Sequence, residues 1–146
     1  MNLVGKPCTL RPFTTEGIKT PRGIDMKVIA RAFHTAVEEE LERAGLGVRL
    51  TGPDSPAEQL MVSGKFTKVR AGSRVQRYLA PFLPSAPAII EVEGLVSMDG
   101  NPLAELSGMG KRGLGPLGGA SMAMLGSAAE IAGVQLARQA LEALAG

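Results

Sequence analysis

One cysteine and one histidine leave this 146-residue chain few places for side-chain chemistry. Cys8 lies in a short apolar run, a setting that favours a small buried hydrophobe over a nucleophile. His34 stands one helical turn before Glu38, which suits a solvated His–Glu pair worth about 0.3 kcal/mol rather than a catalytic base. A chain with one residue of each type makes neither an internal disulfide nor a Cys/His metal cluster. No serine has the Gly-x-Ser-x-Gly setting, and in SGMGKRGLGPLGG the Gly-Lys pair is followed by Arg112 where a phosphate loop needs Ser or Thr. No catalytic residue, metal or cofactor is therefore expected.

Two groups of charges remain. Glu91 and Glu93 alternate onto one strand face, and Glu105 approaches them from the next strand. Three carboxylates can hold a cation or share a proton, but without polar partners nearby a solvated sheet face is the simpler reading. The basic group is more informative. No Asp or Glu occurs between Glu58 and Glu91, whereas Lys65, Lys68, Arg70, Arg74 and Arg77 all do, followed by Tyr78. Such a patch suits phosphate groups, an acidic partner surface or lipid headgroups. Arg74 and Arg77, one helical turn apart, suit forked bonds to Glu91, Glu93 or a partner's carboxylates. Phe66 and Tyr78 are too few for the stacking platform of a single-strand nucleic-acid binder, and a net charge of +2 adds little general attraction to nucleic acid or acidic membrane.

The elements that position these residues follow from periodicity. Residues 8–13 suit a short strand that Pro12 confines to an edge or to its last positions, and 14–23 a loop. Asp25 is placed to cap a helix over 25–44, with apolar residues at Ile29, Ala32, Phe33, Ala36, Val37, Leu41 and Ala44, and Gly45 as its left-handed terminator. A brief strand is expected at 48–50. Three longer strands are expected at 60–69, 88–98 and 103–109. In the first of these Leu60, Val62 and Phe66 share one face; in the second Ala88, Ile90, Val92 and Val96 do. A three-residue turn at Asp99-Gly100-Asn101 would set Val96 opposite Ala104, Gly94 opposite Leu106 and Val92 opposite Gly108.

A second helix is expected over 121–144, with Ala129, Gly133 and Ala137 recurring every four residues to permit close backbone approach. The glycines and proline ahead of it argue against a membrane span. Its apolar arc is wider than one sheet contact requires. Met122, Met124 and Leu125, after the glycine-rich segment 113–119, are therefore candidate oligomer contacts.

Length and composition suit one α/β domain over 1–146, a two-layer sandwich of a mixed sheet with a hairpin in its C-terminal half and two helices on one face. Few aromatics mean that small and aliphatic side chains fill its core.

VSGKFT at 62–67, GSRVQRYL at 72–79 and EVE at 91–93, in this order with a helix on either side, resemble an uncharacterised bacterial envelope domain family of unknown function often found in predicted lipoproteins. The resemblance covers nearly the whole chain and rests mainly on GSRVQRYL. It implies a fold like the small α/β domain at the N-terminus of TolB, and it carries no catalytic residues. Members often continue after Tyr-Leu with a glycine-rich piece, which residues 80–87 replace here. The function expected is a non-enzymatic envelope accessory or assembly domain, self-associating or bound to an envelope protein. The alternative is an anion- or nucleic-acid-binding module using the basic connector 65–77. Peripheral membrane association is compatible with either. The expected compartment is the periplasm or the outer-membrane surface if a leader precedes this chain, and the cytoplasm otherwise.

Overall fold

The chain is described from a computed structural model, over residues 2–52, 60–71, 87–112 and 121–145. Strand β1 (Pro7–Leu10) leads to helix α1 (Met26–Arg43) and strand β2 (Gly47–Leu50). Strands β3 (Leu60–Arg70), β4 (Ala88–Met98) and β5 (Asn101–Arg112) follow, then helix α2 (Ser121–Ala145). The five strands form one mixed sheet in the order β2-β1-β3-β4-β5. β1 pairs in parallel with both β2 and β3, while β3, β4 and β5 form an antiparallel meander. Both helices pack on the sheet, so the α/β architecture expected from the pattern is the one observed.

Local chemistry accounts for most boundaries. The Asp25 carboxylate accepts a hydrogen bond from the Lys27 N–H at 2.9 Å, capping α1, and Gly45 takes the left-handed position after it with φ +101°. β1 ends at Leu10, two residues before Pro12, and lies inside the sheet rather than at an edge. The hairpin differs from expectation in one respect. Its turn has two residues, Asp99 and Gly100, both with positive φ, and Met98 pairs with Asn101. A bulge then leaves Leu103 unpaired on β5, and beyond it Val96 faces Ala104, Gly94 faces Leu106 and Val92 faces Gly108. The extra residue has moved from the turn into the strand, so the expected register survives. A second bulge, between Phe66 and Lys68, turns Val69 inward behind Leu60, Val62 and Phe66.

The core centres on three phenylalanines. Ring centroids lie 4.8 Å apart for Phe13 and Phe33, and 5.2 Å for Phe33 and Phe66. Around them aliphatic residues of the strands meet the alanines of α2. The wide apolar arc of that helix is covered from two sides, by the sheet and by α1. On the sheet side, carbonyl groups of Ala132 and Ala128 occupy the space that side chains at Gly108 and Gly110 would need. On the α1 side, a methyl at Gly133 would stand 2.8 Å from the Phe33 carbonyl.

This contact predicts opposite outcomes for two glycines. Gly110→Ala forces α2 away from β5 and is expected to cost about 1–3 kcal/mol. Gly126→Ala, in the same helix with open space around it, is expected to stabilise by up to about 1 kcal/mol through helix propensity. Urea unfolding of the two variants checks both signs.

Candidate functional site

The basic strand and the glutamates lie together on the sheet face turned away from the helices, but in rows that alternate in sign. Lys65 stands opposite Glu93, which stands opposite Ser107; the next row reads Lys68, Glu91, Met109. Opposite charges on directly facing positions support the sheet by about 0.2–1 kcal/mol per pair, and each also damps the field of the other. The row beyond these, Arg70, Ile89 and Lys111, is basic without a facing acid. Arg74, Arg77 and Tyr78 lie outside the described residues, as does the 113–119 segment. Glu93 and Glu105 line an open depression of about 530 Å³ with Gly94, Leu95 and Ser107. Among the described residues no three His, Cys, Asp or Glu side chains gather closely enough to hold a metal ion.

The solvated His34–Glu38 pair expected from spacing is corrected by the structure. His34 is buried at 7% exposure, and its Nε2 accepts a hydrogen bond from the Phe13 N–H at 2.9 Å. Phe13 follows the end of β1, where a backbone N–H inside the core needs an acceptor. Burial lowers the imidazole pKa from 6.5 to about 4, so it is neutral at physiological pH. Glu38 is half-buried and its pKa is raised, by burial first and then by Glu42 and Glu39. Cys8 is buried as expected, and burial pushes its thiol up to about 11, far from a nucleophilic thiolate.

At the start of α2, Leu125 is fully buried in the core of this chain, which removes it from the candidate oligomer contacts. Met122 and Met124 are half-buried against that core.

Sequence reasoning missed one arrangement. Gln139 Oε1 accepts from the Ser107 N–H at 2.9 Å and Gln135 Oε1 from the Met109 N–H at 3.0 Å. The two glutamines are one helical turn apart and the two amides two strand residues apart, so the spacings match along the outer edge of β5. The available signal was a pair of i, i+4 glutamines on a helix following an edge strand.

A family profile described as a domain of unknown function, DUF4410, matches residues 19–115. No curated protein matches the chain. Among solved structures, the chain is similar to PelC, a dodecamer from Paraburkholderia phytofirmans, at 16% identity and a TM-score of 0.56, covering 99% of this chain and 91% of that one. It is similar to the hypothetical protein CT253 from Chlamydia trachomatis at 9% identity and TM-score 0.56, covering 97% and 96%. Protein XCC0632 from Xanthomonas campestris, assigned to DUF330, matches at 12% identity and TM-score 0.53, covering 94% and 83%. At such identities the likeness is one of fold.

The His34 contact predicts an acid-labile core. Because the folded pKa lies below the unfolded one, the unfolded chain takes up the proton first. The contribution of His34 to stability is intact above pH 6.5 and is lost as pH falls towards about 4. Over that window stability is expected to drop by up to roughly 1.4 kcal/mol per pH unit. His34→Gln keeps an acceptor without the titration, so the difference in urea-unfolding free energy between parent and variant isolates this slope. Parallel pH profiles would refute it.

Proposed function

Because this chain belongs to the DUF4410 family, a family of domains of unknown function, we propose that it is a non-enzymatic accessory or assembly domain of the cell envelope that works as a homo-oligomer. The observation that carries the reading is the shared fold, over nearly the full length of both chains, with a protein that forms a dodecamer. The likeness of its sequence motifs to a bacterial envelope family supports the compartment, the periplasm or the outer-membrane surface. The TolB-like reading of the fold belongs to the same proposal and is supported by helices lying on one side of a mixed sheet.

The non-enzymatic reading is supported by what His34 and Cys8 do. The sole imidazole is buried against a backbone amide, and the sole thiol is held protonated in the core. The alternating Lys and Glu rows favour a partner with its own mixed charges over a polyanion, which needs an unopposed basic surface. No described helix is long and apolar enough to cross a membrane, and attachment through a protein partner or a lipid anchor fits the proposal.

Sedimentation velocity of the purified chain between about 1 and 100 μM, a range in which specific homo-oligomers assemble, tests the central claim. Species heavier than the 15.2 kDa monomer are expected. A monomer throughout would overturn self-association. Fractionation of cells expressing the tagged natural gene tests the compartment, with recovery in the envelope fraction expected and recovery in the cytosol contradicting it.

A further inference from the structure

We propose that the outward face of α1 and α2 is a contact between two copies of this chain, packed antiparallel about a two-fold axis passing by Thr35 and Val134; the proposal rests on the self-association proposed above. The two helices run parallel to one another, since Gly133 abuts Phe33 and Ala36 while Arg138, further along, donates to Glu40 at 3.1 Å. Val134 is therefore level with Thr35. Between them runs an open groove of about 460 Å³, with Ala32, Ala36 and Val134 on its walls and Val28, 48% exposed, at one end.

The charges on this face reverse about that level. On α1, Arg31 and Glu39 lie one turn to either side of Thr35, and both are exposed. On α2, Glu130 and Arg138 lie one turn to either side of Val134, also exposed, with the signs the other way round. A half-turn about an axis through this level, lying across the helices, sets Arg31 of one copy opposite Glu39 of the other and Glu130 opposite Arg138. Each pairing occurs twice, as a self-complementary two-fold interface requires. Glu40 engages Arg138 through its Nε, and among the described residues the remaining guanidinium donors are available for this.

Two further features fit this arrangement. Small residues at its centre, Ala32, Thr35 and Ala36, allow helix axes to approach to the near end of the usual 8–10 Å. The dipoles of two parallel helices add, and an antiparallel second layer offsets them.

The test exploits the buried state of Cys8, the only native thiol. Thr35→Cys and Val134→Cys each place one thiol beside its own copy across the axis, within reach of a disulfide. Glu105→Cys, exposed on the far side of the sheet, is the reference. Under mild oxidation the two helix variants are expected to form covalent dimers at least about tenfold faster than the reference, because proximity raises the effective thiol concentration. Equal rates for all three overturn the proposed face; if the parent chain still sediments above the monomer, self-association stands and runs through another surface. Dimers that form only when Thr35→Cys and Val134→Cys are mixed overturn the antiparallel axis. A parent chain that sediments only as a monomer overturns both readings.

Discussion

Between Gly108 and Ala132, and again between Gly110 and Ala128, the backbone of α2 meets the backbone of β5 with no side chain between them. That contact sets the height and the rotation of the helix together. With the alanines down on the strand, Gly133 is turned against α1, Arg138 reaches Glu40, and Gln135 and Gln139 hang over the outer edge of the sheet. Glu130, Val134 and Arg138 are left facing outward, Arg138 with its Nε held by Glu40. A larger side chain at either glycine would disturb all of these relations at once, since the helix moves as a rigid body.

Groups that elsewhere perform chemistry are here committed to architecture. His34 completes the hydrogen bonding of Phe13 and packs against the rings of Phe13 and Phe33, with centroids 6.0 and 5.4 Å away. The glutamines of α2 occupy outward amides of an edge strand, the groups through which sheets otherwise join edge to edge or aggregate. Lysines of β3 face glutamates of β4. Among the described residues, the surface this leaves offers shape and paired charges for recognition.

Much of the fold was legible because its determinants are local or periodic. Asp25, Gly45 and the α1 stripe mark a helix, and the alternation in β3 and β4 sets a register that tolerates no slip of one residue. The bulge at Leu103 was not legible, since a loop of three residues and a turn of two with one bulged residue predict the same downstream pairing. His34 was misread for a different reason. Spacing along a helix shows which side a residue takes but not that Phe13, 21 positions earlier, brings an unpaired amide to that side. The breadth of the apolar arc on α2 was visible, but its cause was not: the second surface it covers is α1, within the same chain. The candidate site was legible as a set of charges and not as an arrangement, because sign alternation across strands depends on register.

The position of β1 has a consequence for how the chain is made. β1 lies between β2 and β3, so it waits for two segments that both follow it in the chain. Pairing on one side needs residues up to Leu50 and on the other residues up to Val62, while β3, β4 and β5 can close on one another by short-range steps. Contacts so distant in sequence slow folding and lengthen the time the chain spends open. A chain emerging N-terminus first therefore carries Cys8 and Leu10 without their β3 partners until Leu60 and Val62 have followed, so early burial of these residues falls to contacts that the finished sheet does not keep.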